Sequence, residues 1–223
     1  MDLLAFLSQP AGFDIGETGG WLFQASEPLW QAFLVGLSNT LRVSLPALLL
    51  ALILGAALGL GRLSAAPVPR RLATLYVDTF RNVPLLVQLF MWYFVLPELL
   101  PESIGNAYKQ SNPMLQQFLA SMVCLALFTS ARVAEQVRSG INSLPRGQKN
   151  AGLALGFTLP QTYRFVMLPM AFRLVVPPLT SEFLNIFKNS AVCSTIGLME
   201  LAAQGRQLVD YTAQPYESFI AVT

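Results

Sequence analysis

Two stretches of this chain carry no charge at all, Val43 to Gly61 and Gln110 to Ala131. At about 1.5 Å of rise per residue, either one crosses the hydrocarbon core of a bilayer as a helix. Composition agrees: 54% of the 223 residues are hydrophobic and 12% are charged, which is too apolar for an ordinary soluble domain. The expected class is an all-α polytopic membrane protein, one transmembrane domain over residues 1–223, with most charge in its loops.

The same composition excludes several chemistries. There is no histidine, so Ser-His-Asp, Cys-His and HExxH arrangements are absent and neither a catalytic residue nor a metal ligand is expected. Cys124 and Cys193 sit in apolar surroundings without ligand spacing and read as packing residues. No GxxxxGK[ST] run occurs, so the chain holds no P-loop nucleotide, and any ATP is hydrolysed on another subunit. A net charge of +2, split among loops, argues against nucleic acid.

Residues 1–28 contain Asp2, Asp14, Glu17 and Glu27 and no base, which places them on the outer side; Phe13, Trp21, Leu22 and Phe23 suit an interfacial segment. A first span runs from Trp30 to Leu60, where Gly55 and Gly59 indicate close packing within a bundle rather than a dimer seam. A second covers 73–97. Asp78 and Arg81 lie three apart and can pair there, Pro84 kinks or restarts the helix, and Trp92 and Tyr93 suit the outer interface. The acidic, proline-bounded loop from Glu98 to Asn112 is outer, and the third span ends at Arg132, Glu135 and Arg138. Arg62, Arg70, Arg71, Arg138, Arg146, Lys149 and Arg164 fall on one side, against Lys109 and Arg206 on the other. That bias puts the loop 134–169 in the cytoplasm.

This loop is a polar island with its own punctuation. Ser143 is expected to cap a short helix that has Pro145 in its opening turn and Gly156 at C′. Thr158 and Gln161 have capping-box spacing for a second. Small side chains at Ala151, Gly152 and Ala154 allow another protein to approach the first helix closely.

After Pro169 comes a helix interrupted by Arg173, Glu182 and Lys188, which Pro177-Pro178 is expected to break. A charge at the bilayer centre costs about 2.5–3.5 kcal/mol, so these groups face water, protein or each other. At about 100° per residue, Ser181, Glu182, Asn185, Lys188 and Asn189 share an arc of roughly 120°. The arc reads as the wall of an aqueous path or substrate site; an internal salt-bridge network is the other reading. A short outer helix is expected within 198–216, and the apolar run beginning at Phe219 starts a further span that is cut off at Thr223.

Asn150-Ala151-Gly152, then Gly156, then Val166-Met167-Leu168-Pro169 resembles the EAA loop of ABC-importer permeases. Asn150 stands for the usual acid and Gly152 for the second alanine. Gly36-Leu37-Ser38-Asn39-Thr40-Leu41, the run Tyr76 to Pro97, and Ile196-Gly197-Leu198 are similar to the polar amino-acid permeases. Phe80-Arg81-Asn82-Val83-Pro84, Pro97 to Pro101, Leu144 to Ala151 and Lys188 to Ala191 carry the likeness to the glutamate/aspartate branch. The resemblance implies a type I importer permease fold with about five spans and alternating access in the bacterial inner membrane. It implies ATPase subunits docked at Asn150, Ala151, Gly152, Gly156, Leu168 and Pro169. The implied partners also include a periplasmic substrate-binding protein and a second permease subunit, as a heterodimer. For an acidic substrate, Arg81 and Lys188 are candidate carboxylate anchors, with Glu182 or Asn185 for the ammonium. Two other classes stay in view: an ion-coupled secondary carrier, which needs internal repeats not seen here, and a membrane enzyme pairing Glu182 with Glu135 or Asp78.

Overall fold

In hydrocarbon every backbone N–H and C=O must be satisfied within the protein, which leaves helices or a closed barrel. The computed structural model, which describes residues 3–16, 18 and 23–222, is built of helices. Among the described residues the nearest thing to a strand is one isolated bridge, Pro10 with Pro28. Asp2, Glu17, Trp21, Leu22 and Thr223 lie outside the described residues.

After the short α1 (Leu3–Leu7), two helices among the described residues, α2 (Leu29–Arg62) and α7 (Pro113–Asn142), are long and apolar enough to cross a membrane. The expected second span is two pieces. Helix α3 (Pro67–Asn82) ends before Val83-Pro84, and α4 (Leu85–Phe90) and α5 (Leu96–Leu99) follow. Pro84 explains the break: it pushes the residue before it out of the helical region, and Val83 has φ −91 and ψ 127. A π-helical turn, Met91–Val95, joins α4 to α5. After the short α6 (Glu102–Lys109) and α7 come α8 (Arg146–Ala154), α9 (Leu159–Thr162), a π turn at Tyr163–Met167, and α10 (Leu168–Ser190). Helix α10 has 23 residues and passes through Pro177 and Pro178 without interruption. The expected break is absent, as spanning helices tolerate proline where freed carbonyls find other partners. By length and composition alone, two spans, or three if α3 with α4 and α5 counts as one, qualify among the described residues, and α10 is not one of them. A 3-10 turn, Ala191–Ile196, then leads to α11 (Leu201–Thr212) and α12 (Pro215–Val222).

The chain divides into two compact units. The first holds Met1–Ala47, Leu85–Leu125 and Phe187–Thr223. Here the N-terminal segment contributes to a core. Phe6, Phe13, Ile15 and Phe23 are buried with Leu29, Ala32, Phe33 and Leu208, and the Phe13 ring centroid lies 4.7 Å from that of Tyr211. The Gly36–Leu41 motif also finds its role in this unit. Asn39 Nδ2 donates to the Met199 carbonyl at 3.0 Å, and Thr40 Oγ1 accepts the Leu201 N–H at 3.1 Å. A Cβ at Gly36 would come within 2.7 Å of Gln204. The motif therefore holds the entry to α11, whose first turn is capped by Glu200 accepting from Ala202 and Ala203. Cys124 and Cys193 are buried free thiols, as packing residues should be.

The second unit holds Leu48–Pro84 and Ala126–Ile186. Gly55 and Gly59 on α2 lie directly against α7. A Cβ at 55 would sit 2.6 Å from Val133, and one at 59 would sit 2.8 Å from the Ala134 carbonyl oxygen. This is helix packing through small residues within one chain. Gly55→Val should therefore cost about 1–3 kcal/mol by overpacking, read as a lower thermal midpoint of the detergent-solubilised protein. Gly147→Ala, where nothing lies within 4 Å, should leave that midpoint in place.

Candidate functional site

The loop between α7 and α10 folds on its own hydrogen bonds. Helix α8 is capped two residues later than Ser143 suggests. Pro145 is its N-cap, and Ser143 Oγ instead donates at 2.8 Å to the Gly140 carbonyl, closing α7. At the other end, Gly156 has φ +86, a left-handed conformation that glycine adopts without a Cβ penalty. Its N–H bonds to the Leu153 carbonyl at 3.0 Å, and that of Phe157 to the Gly152 carbonyl at 3.2 Å, the paired bonds of a Schellman C-cap. Helix α9 has the expected capping pair: Gln161 Oε1 accepts the Thr158 N–H at 2.8 Å and the Thr158 hydroxyl at 2.9 Å.

What this hairpin presents differs in part from the small-residue reading. Asn150, Ala151, Gly156, Leu168 and Pro169 are exposed, whereas Gly152 is buried. A Cβ there would meet Thr162 at 2.6 Å, so its smallness lets α9 rest against α8 within the chain. The outward surface carries large apolar groups that the basic composition of the loop hid: Leu155 is 77% exposed, and Leu153, Phe157, Leu159 and Phe165 are exposed as well. Such a patch on a polar loop marks a contact surface.

The polar face of α10 divides. Ser181 and Lys188 are exposed, and Asn185 and Asn189 half-buried. Glu182 is buried, and both its oxygens are taken from α7: Arg132 Nε donates to one at 2.8 Å and Gln136 Nε2 to the other at 2.9 Å. The sequence showed Arg132 only as a marker of the span's end and did not single out Gln136, because helical periodicity relates residues on one helix and not across two. The internal-pair reading of the arc thus describes Glu182. Among the described residues no carboxylate lies within 4 Å of Lys188.

Arg81 also finds a different partner. It approaches Glu135 on α7 at 3.4 Å, while Asp78 faces Arg62 at 3.9 Å. Glu135 collects Arg62 and Arg138 as well. One α7 carboxylate amid three guanidiniums outcompetes Asp78, whose side chain is 57% exposed. Glu135 and Glu182 are thus each committed to arginines rather than facing one another as an acid/base pair.

Comparison with known proteins fits this architecture. The family model for "binding-protein-dependent transport system inner membrane component" matches residues 47–223. The glutamate/aspartate import permease protein GltJ of Escherichia coli K12 is 54% identical over 200 residues, 87% of this chain and 78% of its own. The probable amino-acid permease protein YxeN of Bacillus subtilis is 33% identical over 202 residues, covering 91% and 85%. Among solved structures, the crystal structure of an amino acid ABC transporter with histidines superposes with a TM-score of 0.73 at 30% identity, over 86% of this chain and 84% of that one. The inward-facing MetNI methionine ABC transporter, at TM-score 0.58 and 19% identity over 88% and 95%, shares the fold. The chain belongs to the inner-membrane components of binding-protein-dependent transport systems, the non-catalytic permease subunits of ABC importers, with their type I fold.

Proposed function

We propose that this chain is the permease subunit of an importer for acidic amino acids, glutamate and aspartate, driven by separate ATPase subunits and supplied by a periplasmic binding protein. The 54% identity to a glutamate/aspartate import permease carries the substrate reading. The exposed apolar hairpin of α8 and α9 supports the ATPase reading, since an uncovered patch of this kind needs a partner. The distribution of basic residues supports a cytoplasmic hairpin and an outer N-terminus. A second, different permease subunit completes the path. No cofactor is assigned to this chain, and ATP belongs to the partner.

Coupling in this reading is a difference in affinity between two conformations. ATP closure of the ATPase pair moves the α8 hairpin and favours the outward-open path; hydrolysis and release favour the inward one. The permease contributes two conformations and no chemistry. We assign the path wall to Ser181, Asn185, Lys188 and Asn189 on α10, with Glu182 and Arg81 as bordering groups. Lys188 supplies one cation for a substrate that carries two carboxylates.

Reconstituted with its partners, the complex should accumulate glutamate only when ATP is supplied on the hairpin side. Accumulation driven by an ion gradient without ATP would favour a secondary carrier. Lys188→Ala should lower uptake by about tenfold, the loss of one charge-assisted hydrogen bond, while the ATPase still co-purifies. Leu155→Asp should do the reverse: the 77% exposed side chain makes the change harmless to folding, and the ATPase should no longer co-purify with the permease.

A further inference from the structure

Arg132 differs from Arg62, Arg81 and Arg138, the other ion-paired arginines of the second unit. It lies on α7 between Ala131 and Val133, both buried, yet its own side chain is 42% exposed. Its inner edge is fixed: Nε donates to Glu182 Oε2 at 2.8 Å, and the guanidinium carbon lies 5.9 Å from the centroid of the Phe128 ring. Gln136 Nε2 takes the other oxygen of Glu182 at 2.9 Å, so each carboxylate oxygen holds one α7 side chain. That bond also sets the Gln136 amide, since a carboxylate accepts and does not donate. The consequence is that Gln136 Oε1 is buried without a donor. Arg62, Arg81 and Arg138 converge on carboxylates, whereas the two terminal amino groups of Arg132 have no partner among the described residues.

Arg132 closes the charge-free run of the third span on its cytoplasmic side, where a guanidinium avoids the cost of hydrocarbon. It faces water or protein. Its free edge is a planar pair of parallel N–H donors, the geometry that binds a carboxylate through two bonds at once. Restraint by Glu182 and Phe128 removes much of the side-chain entropy that a free arginine loses on binding. We propose that Arg132 is a specificity-determining anchor for a substrate carboxylate in the translocation path, with Glu182 and Gln136 as positioning residues. The assignment rests on the acidic amino-acid reading of the permease and adds the group that discriminates glutamate from glutamine. A carboxamide offers one acceptor oxygen where a carboxylate offers two, and its amino group opposes a guanidinium donor. Glu182 is thereby a positioning residue of the site rather than the ammonium ligand.

The test uses the whole complex in proteoliposomes, with ATPase, binding protein and second permease, and reads glutamate delivered per ATP hydrolysed. The variants are Arg132→Gln combined with Glu182→Gln, which orphans no buried charge, and Arg132→Lys, which keeps the charge and loses the fork. The ratio should fall about tenfold or more in the double variant, as expected for losing a charge-assisted pair of bonds, and should be intermediate in Arg132→Lys. An unchanged ratio in the double variant would overturn the proposal. So would loss of ATP hydrolysis in both variants, which assigns the pair to assembly with the second subunit. Failure of the unsubstituted complex to move glutamate at all would instead overturn the acidic amino-acid reading itself.

Discussion

Ionised groups inside a spanning bundle must be matched by the protein, and this constraint organises the described structure. Glu182 on α10 is bound on both oxygens by α7. Glu135, between Arg132 and Gln136 on α7, draws Arg62 from the end of α2 and Arg81 from the end of α3. Such pairs, buried at Glu182 and partly exposed at Glu135, are weak sources of net stability, because desolvation or solvent screening offsets most of the Coulomb attraction. Breaking one by removing a single partner is costly, however, so they specify which helices meet and in what register. The glycines of α2 do the complementary work, letting its backbone approach α7 until Val133 and the Ala134 carbonyl fill the space a side chain would need.

The same logic separates moving parts from fixed ones. The α8 hairpin is held by its own caps, with Gly156 at one end of the turn and the Thr158–Gln161 pair at the other. It is therefore a preformed shape that a partner can grip without first ordering it, which lowers the entropic cost of docking. Its apolar outer groups are left for that partner, while Gly152 and Thr162 make the internal contact.

Much of this was legible in the sequence because it rests on local or periodic signals. Charge-free runs gave α2 and α7, proline gave the break at Val83, and Gly156 gave the C-cap. The family resemblance came from short motifs whose roles are structural: Asn39 and Thr40 hold the entry to α11. What escaped was pairing across helices. Arg81 was expected to meet Asp78 three residues away and meets Glu135 on α7 instead; Glu182 was read with its own helix face and belongs to Arg132 and Gln136. Spacing along one helix says which residues share a face and nothing about what the neighbouring helix brings to it. The continuity of α10 through Pro177 and Pro178 escaped for a related reason, since propensities measured in water overstate the cost of proline in a span.

The central claim is that a separate motor grips the α8 hairpin from the cytoplasm. Labelling of an Ala151→Cys variant with a membrane-impermeant maleimide tests this most directly, because Ala151 is exposed and the native thiols, Cys124 and Cys193, are buried. The account expects reaction in inside-out vesicles, none in right-side-out vesicles, and protection once the ATPase subunits are added. Labelling from the outer side, or a rate in inside-out vesicles that the ATPase leaves unchanged, would contradict it.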